Sequence, residues 1–202
     1  MPFVPTARYL DHIFSGEASL CQIYPLPIQQ LDRLHWSPLN VIYKAIQFLA
    51  DKENVRILDI GSGVGKFCVA GAYYKPNALF YGVEQRQNLV EQAQDAKAKL
   101  GHLKVNFVHN NFTQLDLKQF DGFYFYNSFF ENFPSADKID DSIAYSADLY
   151  RYYSQYLRIQ LDEMKQGTKL VTYCSWEDEI PASYQLVQER SDILLKFWIK
   201  NY

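Results

Sequence analysis

Basic residues do not outnumber acidic ones in this 202-residue chain: 20 Lys and Arg stand against 23 Asp and Glu, a formal net charge of −3. No overall positive field exists to draw in phosphate backbones, so nucleic acid is not the expected partner. Cysteine is scarce and odd in number, with Cys21, Cys68 and Cys174 far apart. That excludes a paired disulfide framework and any Cys-x-x-Cys metal site, and implies reduced thiols and no metal. No apolar run approaches the length of a membrane span, and Met1-Pro2-Phe3-Val4-Pro5-Thr6 lacks the basic-then-apolar order of an export signal. A cytoplasmic protein with no membrane association is the expectation. What the chain has in quantity is aromatic surface, 16 Tyr and 14 Phe, which suits a core or pocket walled by flat, partly polar groups. With 48% hydrophobic residues, 202 positions suffice for one well-buried core and are few for two. Residues 1–202 therefore read as a single domain, with 1–50 as a partly helical N-terminal extension.

Prolines 2, 5, 25 and 27 interrupt any long element in the first 36 residues. Ser37-Pro38 then has the pattern of an N-cap followed by proline at the first helical position, opening a helix to about Asp51. Short β-rich runs follow at 55–60, 79–84, 105–109, 122–126 and 168–174. Helical patterns lie between them, including a capping-box pattern at Asn88-Leu89-Val90-Glu91 and a long two-striped helix from about Ile139 to Met164. Tyr184 to Glu189 and Ile193 to Lys200 are too close for anything but an antiparallel hairpin. Strands alternating with helices imply an α/β fold with a mostly parallel, Rossmann-like sheet, helices on both faces and an antiparallel C-terminal hairpin.

The stretch most charged with chemistry is Asp59-Ile60-Gly61-Ser62-Gly63-Val64-Gly65-Lys66-Phe67, where a buried strand turns into a helix. Glycines there let a backbone approach a ligand closely and aim helix N-terminal amides at it. Three glycine patterns compete. A phosphate-binding loop requires glycine at Ile60 and a hydroxyl at Phe67, and fails at both. A dinucleotide fingerprint requires its third glycine at Lys66, and the chain places it at Gly65.

The spacing Asp59-x-Gly61-x-Gly63-x-Gly65 instead resembles the first motif of the seven-strand, class I S-adenosylmethionine-dependent methyltransferases. Glu84 ends the next strand where that family holds the ribose hydroxyls, and the terminal hairpin is the family's strand-six to strand-seven pair. The resemblance runs from about Ser37 to the C-terminus and implies S-adenosylmethionine as cofactor. It implies that Gly61 and Gly63, with Ser62 and Gly65, bring the backbone beside the methionine part, which Asp59 would orient. Glu84, with Gln85 beside it, would accept from the ribose, and Asn111 would stand where the family has an acid for the adenine amino group. Ordinary turn chemistry explains Asn110 and Asn111 equally well.

Asp121-Gly122-Phe123-Tyr124-Phe125-Tyr126-Asn127-Ser128-Phe129-Phe130-Glu131-Asn132 is the fourth strand and the loop where this family places catalytic groups. Asn127-Ser128-Phe129-Phe130 is similar to the Asn-Pro-Pro-Tyr or Phe loop of amide and amino-group methyltransferases, with both prolines missing. The Gly-Ser-Gly-Val-Gly turn and an Asn-Asn-Phe sequence also look like the lysine methyltransferases without a SET domain and their bacterial relatives. The expected catalytic residues are Tyr126, Asn127 and Glu131, Tyr126 also touching the cofactor, with His35 a further candidate proton acceptor. The expected function is methyl transfer to an acceptor left open, a protein or a small molecule, with a protein lysine or another amino group among the choices. Oligomeric state is not legible. A non-catalytic S-adenosylmethionine-binding or interaction protein of the same fold is the competing reading, and a nicotinamide-dependent oxidoreductase the third.

Overall fold

In the computed structural model, which describes residues 5–101, 103–176, 179–189 and 194–202, seven strands form one sheet. They are β1 (Arg56–Ile60), β2 (Leu79–Glu84), β3 (Val105–His109), β4 (Gly122–Tyr126), β5 (Lys169–Tyr173), β6 (Tyr184–Glu189) and β7 (Leu195–Lys200). The order is β3-β2-β1-β4-β5-β7-β6, with the first five parallel and β7 antiparallel to both neighbours. Parallel strands are covered on both faces, so their side chains are apolar nearly throughout. Ile57, Phe80, Tyr124, Val171 and Phe197 point to one core; Leu58, Val83, Phe123, Phe125, Leu170 and Trp198 point to the other.

The helices are α1 (Ala7–Ile13), α2 (Glu17–Cys21), α3 (Leu26–Gln29), α4 (Asp32–His35), α5 (Leu39–Leu49), α6 (Lys66–Tyr74), α7 (Gln87–Leu100) and α8 (Ala147–Asp162). The first core gathers residues of α1, α2, α5, α6 and α7; the second is covered by α8 and by short 3-10 turns at Phe112–Gln114 and Leu117–Gln119. The chain winds outward through β2 and β3, then returns to β4 on the other side of β1. That reversal opens a crevice at the C-terminal ends of β1 and β4, where such sheets bind ligands.

Three expected boundaries move. α5 begins at Leu39 with Pro38 at its N-cap, and the Ser37 hydroxyl pairs with the Tyr124 hydroxyl at 2.6 Å instead of capping the helix. α7 begins at Gln87 with Arg86 at the N-cap, so Asn88 lies inside the helix. Its carboxamide oxygen accepts from the adjacent Leu89 N–H at 2.9 Å, closing no capping box. The long helix starts at Ala147 rather than near Ile139, because Ser146 caps it by accepting the Leu149 N–H at 3.0 Å. The residues 134–146 before it form an irregular strap. Ile193 lies outside the described residues; the final strand is described from Leu195.

Candidate cofactor and acceptor site

All three glycines of the turn have positive φ, +73° at Gly61, +51° at Gly63 and +78° at Gly65, but each for a different reason. The N–H groups of Gly61 and Ser62 both donate to the Val83 carbonyl at 3.0 Å, bending the chain over the end of β2. A Cβ on Gly61 would lie 2.6 Å from Ser128 Cβ, so this glycine admits the loop after β4. The Ser128 hydroxyl crosses over to donate to the Ile60 carbonyl at 2.5 Å. A Cβ on Gly65 would strike the Phe107 ring at 2.4 Å. Around Gly63 no described residue lies within 4 Å of where a Cβ would stand, and this glycine lines a cavity of about 300 Å³.

The cavity runs from the glycine turn to the β2 end and under the loop after β4. Glu84 holds the turn in shape: its carboxylate accepts the Gly63 N–H at 3.1 Å and the Arg86 N–H at 2.9 Å. Asp59, 5% exposed, lies at the cavity floor, where among the described residues its side chain has a single long contact, from the Cys68 thiol at 3.9 Å. Burial, and then the Glu84 charge, push its carboxyl well above the ordinary range. Among the described residues, four carboxylates line the cavity, Asp59, Glu84, Glu131 and Asp137, together with two cations, Lys66 and Arg86. Both cations are already engaged. Lys66 pairs with Glu17 at 2.6 Å and Asp32 at 3.4 Å, and Arg86 with Glu131 at 2.8 Å and Asp140 at 3.2 Å.

The loop after β4 supplies an unusual residue. Asn127 is left-handed, with φ +41°, and its buried amide oxygen has no hydrogen-bond partner among the described residues. Its backbone N–H donates to the Ser175 hydroxyl at 3.3 Å, tying the ends of β4 and β5 together. Tyr126 stands beside it, tilted against Tyr173, and burial pushes its hydroxyl up to about 12. From the N-terminal segment, Leu31, His35, Trp36 and Ser37 form the opposite wall. Burial lowers the His35 pKa, with nearby Glu131 working against that and Arg86 with it.

Most of the residues expected from sequence line this cavity: Asp59, Gly61, Ser62, Gly63, Glu84, Gln85, Tyr126, Asn127 and Glu131. Gly65 and Asn111 are not among its lining. Asn111 caps the turn at Phe112, accepting from the Thr113 N–H at 3.1 Å, while its NH2 donates to Gln85 at 3.0 Å and Tyr153 at 2.8 Å. Its neighbour Asn110 lines the cavity instead, with Phe112 and Phe129 stacked 5.2 Å apart. Glu131 is present but spent on Arg86 and on the Ile139 N–H at 2.7 Å. Sequence reasoning missed Lys66 and Arg86. Their signal was position alone, each beside a residue of the expected cofactor site, and nothing local announces a buried cation.

Comparison with known proteins agrees with this geometry. A family model described as a methyltransferase domain matches residues 51–198. A tRNA (guanine-N(7)-)-methyltransferase of Synechococcus sp. (strain JA-3-3Ab) is 46% identical over 54 residues, 27% of this chain and 23% of that protein. The chain spans under a third of the length of the curated relatives it matches. An RNA methyltransferase from Salinibacter ruber, solved with S-adenosylhomocysteine, superposes with TM-score 0.56 at 22% identity, covering 82% of this chain and 94% of that one. The magnesium protoporphyrin IX methyltransferase of Synechocystis PCC 6803, solved with bound S-adenosylmethionine, superposes at TM-score 0.57 and 12% identity, covering 96% and 90%. These likenesses show a shared seven-strand fold. The chain belongs to the methyltransferase-domain family, in the class I, S-adenosylmethionine-dependent architecture.

Proposed function

We propose that this protein transfers a methyl group from S-adenosylmethionine to a nitrogen atom presented to Asn127. The observation that carries the reading is the Asn127 amide oxygen, buried without a partner among the described residues on a left-handed residue of the cavity wall. An unpaired buried acceptor costs about 1–3 kcal/mol, and a positive φ outside glycine costs about as much again. An N–H of the methyl acceptor would supply the missing partner and point the nitrogen lone pair into the cavity.

The remaining residues fit the cofactor. The open side of Gly63 gives room beside the turn, and a predominantly acidic wall suits a ligand carrying a sulfonium and an ammonium. Bound there, S-adenosylmethionine supplies an electrophilic methyl group. The chain's own groups orient it: Asp59 at the methionine part, Glu84 accepting from ribose hydroxyls, Asn110 in place of Asn111 near the base, and Phe112 and Phe129 as a flat wall. Burial lowers the His35 pKa, which favours the neutral imidazole, a group able to accept a hydrogen bond from the acceptor nitrogen. Tyr126, raised to about 12, stays protonated and acts as a donor. Glu131 is a positioning group, because Arg86 holds both of its carboxylate oxygens.

The acidic wall favours a free amine, protein lysine included, while the partial match to a tRNA methyltransferase keeps RNA in the test. Calorimetry with S-adenosylhomocysteine comes first; a folded chain that does not bind it refutes the assignment. Incubation with methyl-labelled S-adenosylmethionine and cell extract, then separation into protein, RNA and small molecules, identifies the acceptor. Asn127→Ala is expected to lower labelling at least about 100-fold with S-adenosylhomocysteine affinity retained, the pattern of a lost acceptor contact. Undiminished labelling would remove Asn127 from the reaction. Absence of label in every fraction would favour the non-catalytic reading.

A further inference from the structure

Arg86 is among the most buried charged groups of the chain, 4% exposed, and it follows by two positions the carboxylate assigned to the ribose. One guanidinium reaches four partners on three segments. Nη1 lies 3.6 Å from Glu84; Nη2 donates to both Glu131 oxygens at 2.9 and 2.8 Å and to the Tyr145 hydroxyl at 2.6 Å; Nε donates to Asp140 at 3.2 Å. The strap itself is laced to the same hub. Glu131 also accepts the Ile139 N–H, Asp140 accepts the Ser142 N–H at 2.9 Å, and the Tyr145 hydroxyl donates to the Asp140 carbonyl at 2.6 Å. Residues 137–145 have no helix or strand of their own, yet Asp137, Ile139, Ile143, Ala144 and Tyr145 form the outer wall of the cavity.

From this geometry we infer that Arg86 is a positioning residue that couples cofactor binding to the acceptor wall, by holding the ribose-site carboxylate, Glu131 and the 134–146 strap with one guanidinium. The inference rests on the cofactor assignment above. Its physical basis is the charge count: three carboxylates, Glu84, Glu131 and Asp140, face one cation, leaving two net negative charges. Removing the cation sets those carboxylates against one another and strips a strap with no ladder of its own of its main anchor. Burial alone would lower the Arg86 pKa, and the Glu131 and Glu84 charges more than reverse it, so the latch stays charged at every working pH. A planar guanidinium can serve several acceptors at once; an ammonium cannot match that fork.

Hydrogen–deuterium exchange of the full chain, with and without S-adenosylhomocysteine, tests the latch. Arg86→Gln is expected to speed exchange across 137–145 at least about 10-fold and to weaken S-adenosylhomocysteine about 10- to 100-fold, with Arg86→Lys restoring part of both. Glu131→Gln should free the strap similarly while weakening binding less, because Glu84 is still held. Should Arg86→Gln fail to fold, Arg86→Lys and Glu131→Gln carry the test, and both must accelerate strap exchange. Strap exchange unchanged in those two variants, or accelerated in Arg86→Gln with affinity within twofold of the native chain, overturns the coupling. If the native chain binds no S-adenosylhomocysteine, the cofactor assignment fails by itself, and strap exchange in the ligand-free variants still decides whether Arg86 is the latch.

Discussion

At the scale of single residues, identical glycines turn out to have unlike jobs. Gly63 and Gly65 share a left-handed backbone, which costs an alanine about 1–2 kcal/mol at either position. Only Gly65 adds a collision, since its built Cβ meets the Phe107 ring at 2.4 Å and Ala93 at 3.0 Å. Gly65→Ala is therefore expected to destabilise by about 2–4 kcal/mol and Gly63→Ala by about 1. Thermal melts should show the larger drop at Gly65, and S-adenosylhomocysteine calorimetry the larger loss at Gly63. Equal melting temperatures for the two variants would mean that the Phe107 contact does not hold. The alternating glycines were legible in sequence; which one faces a ligand was not, because that depends on Phe107, 42 positions further along.

Asp59 carries a pH dependence whose sign follows from its environment. Its folded pKa is raised, first by burial and then by Glu84. Stability linked to such a group is complete below the unfolded value of about 3.9 and is lost as pH rises through the folded value. Asp59→Asn removes that loss. The variant's advantage in melting temperature over the native chain is expected to widen from pH 4 to pH 8. An advantage that narrows over that range would contradict the burial of an ionisable Asp59.

At the scale of elements, strands and most helices follow the sequence pattern, and the departures occur where a side chain is recruited elsewhere. Ser37 leaves its capping role for Tyr124, which stacks on Phe67 at 4.1 Å. The apolar stripe from Ile139 looks helical, but Ile139 and Ile143 serve the cavity wall and Ser146 starts the helix instead. Lys66 is another such recruitment: it joins α6 to α2 and α4 through Glu17 and Asp32, with its ammonium 5.3 Å from the Trp36 ring. Both carboxylates are more than a third exposed, so this tie is discounted to about 1–2 kcal/mol. Lys66→Met is expected to speed backbone hydrogen exchange in α2 and α4 by roughly 5- to 30-fold, since exchange tracks local opening. An unchanged exchange rate would show that apolar packing alone holds these helices.

At the scale of the whole molecule, the N-terminal segment packs as part of the first core. Ile13, Phe14, Leu20, Ile23, Tyr24 and Trp36 are all buried there against α5, α6 and α7. At about 1.5–3 kcal/mol each, their burial is comparable with the whole net stability of a domain, roughly 5–15 kcal/mol. A chain lacking residues 1–36 is expected to lose its cooperative thermal transition by circular dichroism; a sharp transition in that fragment would show that the sheet and its helices stand alone.

What the sequence by itself determined was the order of strands and helices, the hairpin at the end and the glycine turn with Asp59 and Glu84. All are local: propensity, periodicity and spacing act within a few residues along the chain. The tertiary structure alone decided that Asn110 rather than Asn111 lines the cavity, that Glu131 is tied down, and that Lys66 and Arg86 are buried. A buried charge is tolerable only beside its partners, and apart from Glu84 those partners lie 34 to 59 positions away, brought together by the winding of the sheet.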